Sequence, residues 1–65
     1  MEKLFDEREA AERLNLRAWT LQNWRHLRKG PPYLKIGGRV KYRESDLNAF
    51  IKKRLIDPEN SLKNF

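Results

Sequence analysis

The sequence predicts a small α+β domain: two short helices across a tight turn, then a β-hairpin, then a third helix. Two observations carry this. Apolar residues recur at helical spacing before residue 30 and again after Ser45, and between them apolar and basic residues alternate on both sides of Gly37-Gly38. A third is punctuation, because Pro31-Pro32 separates the helical pattern from the alternating one. With 65 residues, the chain makes one domain, since a chain this short buries only about 60% of its unfolded surface. The reading assigns 1–55 to that domain and 56–65 to a flexible C-terminal tail, whose stretch from Glu59 to Phe65 is polar apart from Leu62 and Phe65.

The first helix opens on Asp6-Glu7-Arg8-Glu9, a capping box in which Asp6 accepts from the third helical amide and Glu9 reaches back. Phe5 before the cap can staple onto Ala10. Ala11 and Leu14 share one stripe, and Asn15, which tolerates a left-handed conformation, stops the helix after about two turns. A second helix is expected from Ala18 to Lys29, with Gly30 as its stop. Only Asn15-Leu16-Arg17 separate the two, the short spacing of a helix-turn-helix.

Both tryptophans lie on the second helix, five positions apart in Trp19-Thr20-Leu21-Gln22-Asn23-Trp24. At about 100° per residue they point in different directions. Leu21, Trp24 and Arg28 form one stripe, while Trp19, Gln22, Asn23 and His26 form the opposite one. Trp24 is therefore the core ring. Trp19 has three possible settings: folded back over Leu16 or the Arg17 stem, against DNA, or against a neighbouring protein.

In the hairpin, a two-residue turn would place Ile36 opposite Arg39, mixing core with charge. A three-residue loop, Gly37-Gly38-Arg39, instead pairs Ile36 with Val40 and Leu34 with Tyr42, and is the expected register. Lys35, Lys41 and Arg43 then share the other face, with Arg39 at the tip. Ser45 is the expected N-cap of a third helix running from Asp46 to about Leu55. The expected core is Leu4, Ala11, Leu14, Leu16, Leu21, Trp24, Leu34, Ile36, Val40, Tyr42, Leu47, Phe50 and Ile51.

Charge points to function. Residues 1–15 sum to −2 and residues 44–65 to zero, so the whole excess of +6 comes from the middle. Residues 16–43 carry Arg17, Arg25, Arg28, Lys29, Lys35, Arg39, Lys41 and Arg43 without a single acid. A solvated face mixes signs; an acid-free basic segment is the footprint of a polyanion binder. Catalysis finds little footing, with one histidine and no cysteine, so no catalytic residue, metal ligand, cofactor or small-molecule substrate is expected. No apolar run reaches the ~20 residues of a membrane span, and a cytoplasmic location is the expectation.

The order of elements, with Ala10-Ala11-Glu12-Arg13-Leu14, Thr20-Leu21-Gln22-Asn23-Trp24-Arg25 and the stretch from Lys35 to Leu47, resembles the small winged helix-turn-helix proteins of the excisionase and MerR-like group found in phages and integrative elements. The resemblance covers about residues 4 to 54. It implies a recognition helix in the major groove and a hairpin wing on backbone or minor groove. It also implies a role as a recombination directionality factor beside an integrase, or as a small transcriptional regulator.

On that reading the partner is double-stranded DNA, with an integrase and neighbouring copies of the chain as further candidate partners. The recognition-helix residues are Arg17, Trp19, Thr20, Gln22, Asn23, Arg25 and His26. Amides such as Gln22 and Asn23 suit adenine, and Arg17 suits guanine or phosphate. Arg28, Lys35, Arg39, Lys41 and Arg43 form the wing and backbone set. A protein-interaction module anchored by Trp19 is the alternative of another class. RNA binding lacks the platform of exposed aromatics it would use.

Overall fold

The structure, a computed structural model, describes residues 2–58. Of the tail expected over 56–65, the part from 59 onward lies outside the described residues. The elements run β1 (Leu4–Asp6), α1 (Glu7–Arg13), α2 (Ala18–His26), β2 (Leu34–Ile36), β3 (Arg39–Arg43) and α3 (Glu44–Lys53). The strands form one antiparallel sheet in the order β1-β3-β2.

α1 starts as its sequence dictates. The Glu9 N–H donates to Asp6 Oδ1 at 2.8 Å, and the Asp6 N–H donates to Glu9 Oε1 at 3.0 Å, closing both halves of the capping box. It ends in a Schellman motif on Asn15, whose φ is +58°. The Leu16 N–H reaches the Ala11 carbonyl at 2.8 Å and the Asn15 N–H reaches Glu12 at 3.0 Å. α2 ends the same way, but three residues earlier than expected. Arg28, not Gly30, is the left-handed terminator, with φ +56°. The Lys29 N–H donates to the Trp24 carbonyl at 2.8 Å. Arg28 therefore lies beyond the helix rather than on the stripe of Leu21 and Trp24.

Gly30 has another task. A Cβ built on it would lie 2.8 Å from Trp24 Cε3, so the chain passes flat against the indole, with φ +93°. Trp24 also meets Phe50 of α3 in a tilted ring pair, centroids 5.7 Å apart. Trp24 is half-buried and packs on the core, as its place on the helix requires.

The strand β1 has no counterpart in the sequence reading, and it changes which N-terminal residue is core. Phe5, opposite Tyr42, is buried, whereas Leu4, expected inside, is 40% exposed opposite Arg43. Alternation along a strand sends neighbours to opposite faces, so placing Phe5 inside forces Leu4 out.

The hairpin register also differs from expectation. The loop is the two-residue turn, with Leu34 opposite Lys41, Lys35 opposite Val40 and Ile36 opposite Arg39. Both Gly37 and Gly38 take positive φ, 57° and 81°, as a type I′ turn needs at both central positions. The expected cost of this register, charge in the core, does not arise because β2 is an edge strand. Its Leu34 and Ile36 point to the outer face beside Lys41 and Arg39, and Ile36 is 52% exposed. Lys35 takes the inner face but stays exposed. Tyr33, just ahead of β2, supplies the inner contact instead, its ring 6.2 Å from that of Tyr42.

α3 begins directly after β3 at Glu44, with Arg43 rather than Ser45 at the N-cap position, and ends at Lys53. Its first amides are satisfied from the chain's other end. The Glu44 N–H donates to the Lys3 carbonyl at 3.0 Å, and the Ser45 N–H donates to Glu2 Oε1 at 2.7 Å. Hydrogen bonds from Ser45, side chain first and backbone second, hold the Glu2 carboxyl below its ordinary range. The buried core is Phe5, Ala10, Ala11, Leu21, Tyr42, Leu47 and Phe50. Leu14, Trp24 and Val40 pack against the core from partly buried positions, and Leu16 and Leu34 are half-buried, while Ile51 is exposed. Together these elements make a small winged helix-turn-helix.

Two glycine substitutions separate crowding from backbone strain. Gly38→Ala meets open space and should lose about 1 kcal/mol for its positive φ alone. Gly30→Ala must displace Trp24 as well and should lose about 2–3 kcal/mol. In thermal melting the Gly30→Ala midpoint should fall clearly further. Equal falls would mean that Trp24 gives way freely.

Candidate nucleic-acid interface

α2 presents Asn23 and His26 on the face turned away from Leu21. Arg17 occupies its N-cap position with an extended backbone and no side-chain cap, and its carbonyl accepts from the Thr20 N–H at 3.0 Å. The Arg17 side chain is therefore not used in capping, and it is exposed. Asn23 and His26 are exposed too, and neither side chain makes a hydrogen bond with a described residue. Trp19 is 56% exposed and has no ring contact with a described residue. Thr20 is half-buried.

Gln22, Asn23, Arg25, His26, Tyr33 and Lys35 line one polar hollow between α2 and β2. The fold thus brings Lys35 of the wing beside the exposed polar face of α2. A second hollow joins α1, α2 and the wing tip, where Gln22 and Arg25 meet Arg8 and Arg39. Two residues on these surfaces escape the sequence reading. Arg8 looked like one solvated cation among the mixed charges of α1, and Tyr33 like a strand residue. Only the Pro31-Pro32 kink ahead of Tyr33 hinted that its ring would turn toward α2.

Arg25 faces inward. Its guanidinium pairs with Glu7 Oε1, donates from Nη1 to the Tyr42 hydroxyl at 2.9 Å, and lies 5.7 Å over the Tyr33 ring. Burial works against its charge, but the hydrogen bonds to Tyr42 and Glu7 outweigh it and hold its pKa above the ordinary value. Burial raises the Tyr42 phenol, an effect that the Arg25 hydrogen bond opposes. Gln22 is also engaged: its Nε2 donates to Glu7 Oε2 at 2.8 Å.

The wing cations do not act as one face. Arg39, Lys41 and Arg43 share the outer sheet face, while Lys35, opposite Val40, is on the inner one. Lys41 is half-buried on the central strand, across from Asp6. Arg43 is held by Asp46, with Nε–Oδ2 at 2.6 Å and Nη2–Oδ1 at 3.1 Å, a bidentate pair that raises its pKa. Arg28 sits with Lys29 and the two prolines beside Arg25. Arg39 at the tip and Lys35 beside α2 are thus the wing's outstretched charges. Among the described residues no cluster of His, Cys, Asp or Glu could hold a metal ion, and no helix is long and apolar enough to cross a membrane.

The two tryptophans should behave oppositely when truncated. Trp24→Ala should lose about 3 kcal/mol, the lower end for a core aromatic because the ring is half-buried. Trp19→Ala should stay within about 0.5 kcal/mol of the parent. Thermal melting of both checks this, and a large loss for Trp19→Ala would return that ring to a structural role.

Basic charge without acid, an exposed polar helix face and a hairpin beside it form the surface that a duplex requires. No curated protein matches the chain significantly. The family model described as a helix-turn-helix domain matches residues 4–55, from β1 through α3. The chain belongs to the helix-turn-helix domain family and is a DNA-binding protein.

Proposed function

We propose that the chain binds duplex DNA sequence-specifically, as a recombination directionality factor that assists an integrase in excising a mobile element. In this reading α2 lies in the major groove and the β2–β3 wing rests on backbone or minor groove. The observation that carries the binding mode is the free amide of Asn23 on an exposed α2 face, with the unpaired cation Lys35 lining the same hollow and unpaired Arg17 at the N-cap of the helix. An amide with both a donor and an acceptor available can pair bidentately with adenine. Cations beside it set register on phosphates and carry no sequence information. The excision role rests on the resemblance of Ala10–Leu14, Thr20–Arg25 and Lys35–Leu47 to excisionases.

The exposure of Trp19 favours a second reading for that side chain, in which it anchors a neighbouring copy or another protein. Apolar burial is little screened by salt, whereas phosphate contacts are lost steeply as salt rises. A Trp19-dependent complex that survives high salt would support the second reading.

Footprinting on DNA from the chain's own genetic neighbourhood tests the role. Closely spaced repeated sites, together with stimulated excision in a reconstituted integrase reaction, are expected. A single promoter site with no effect on excision would identify a stand-alone regulator.

Residue contributions should divide by chemistry. Asn23→Ala should cost about 1–3 kcal/mol on the specific site and little on random duplex. Arg39→Ala should weaken both equally and lower the salt slope by about one. Equal loss on both DNAs for Asn23→Ala would remove it from the reading face.

A further inference from the structure

The Glu7 carboxylate, at the first position of α1, holds two side chains one turn apart on α2. Oε1 pairs with Arg25 and Oε2 accepts from Gln22 Nε2 at 2.8 Å. We infer that Glu7 is a positioning residue for base recognition: it turns the Gln22 amide so that its carbonyl oxygen faces the groove, which selects bases with an exocyclic amine. The inference rests on α2 being the recognition helix.

A free glutamine is ambiguous. Its amide can rotate by half a turn and present either a donor or an acceptor, so it can serve amine and keto bases alike. A carboxylate removes that freedom because it has only acceptor atoms, and so the –NH₂ of Gln22 must be the group turned toward it. The oxygen is left on the outward side, beside the one amide hydrogen that Glu7 does not hold.

In the major groove the exocyclic amines are adenine N6 and cytosine N4, whereas guanine O6 and thymine O4 are acceptors. An outward oxygen bonds the first pair and opposes the lone pairs of the second. Gln22 then favours adenine or cytosine on the strand it touches.

Glu7 is well placed for this. The Asp6–Glu9 capping box fixes its backbone, and Arg25 holds its other oxygen, so the carboxylate cannot swing away with Gln22. The same guanidinium offsets the repulsion that a bare carboxylate would exert on nearby phosphates.

The test compares relative affinities of the full chain and its variants for duplexes that carry each of the four base pairs at every position of the footprinted site. A ratio between two duplexes measured on one preparation cancels the folded fraction, so reduced stability in a variant does not obscure it. The parent should show one position where adenine or cytosine exceeds guanine or thymine by roughly fivefold or more, and Gln22→Ala should abolish that preference. Glu7→Gln, which can accept or donate, should reduce the ratio to below about twofold there while leaving the Asn23-dependent position unchanged. Full retention of the preference in Glu7→Gln, or a parent preference for guanine or thymine at that position, overturns the role of Glu7. If Gln22→Ala alters no position while Asn23→Ala still does, Gln22 is not a base reader and the role of Glu7 falls alone; if neither variant alters any position, the recognition-helix reading itself fails.

Discussion

Burial of Tyr42 beneath the Arg25 guanidinium is the interaction on which the rest of the domain depends. Tyr42 is 1% exposed and is the largest of the fully buried side chains, yet it has a hydroxyl that must be satisfied. Arg25 supplies that partner from α2, and Glu7 of α1 neutralises Arg25 in turn. Three elements distant in sequence are thereby locked at one point. This interaction ties α1, α2 and β3 to one another through polar contacts. Among the described residues only seven apolar side chains form the buried core, so such contacts weigh heavily in fixing the packing.

How much was legible in the sequence depended on the range of the interaction. The capping box of α1, its end at Asn15 and the division of labour between Trp24 and Trp19 are local, set by residues within one or two turns. The errors are non-local. Nothing near Leu4 signals that it begins a strand, because its partner is at residue 43. Ser45 has the chemistry of a cap, but α3 starts one residue before it, and the amides of Glu44 and Ser45 itself are taken by Lys3 and Glu2. The hairpin register failed for a similar reason. Pattern favours burying Ile36, but Phe5 of β1, beside Tyr42 on the inner face, fills that role from the far edge of β3, and the glycine pair takes its own tight turn.

The candidate site follows the same division. The acid-free run from residue 16 to 43 is visible in composition, and the helical period assigns Asn23 and His26 to the outer face. What composition cannot reveal is which polar groups are engaged within the fold. Gln22 and Asn23 are adjacent amides with equal claims in sequence, but a carboxylate fifteen residues upstream takes one and leaves the other free. Arg43 is different, since its partner Asp46 is only three residues on, and a spacing rule could have found the pair.

The pairing of β1 with β3 has a kinetic side. Helices form in about a microsecond from local contacts, whereas a strand pairing that joins residue 4 to residue 43 must first close a loop spanning most of the domain. Until it closes, the amides at the start of α3 have no acceptors from Glu2 and Lys3. α1 and α2 are therefore not an autonomous module that could be excised and grafted. Arg25 of α2 takes Tyr42 of β3 as its partner, and β3 is itself paired along one edge with residues 4–6.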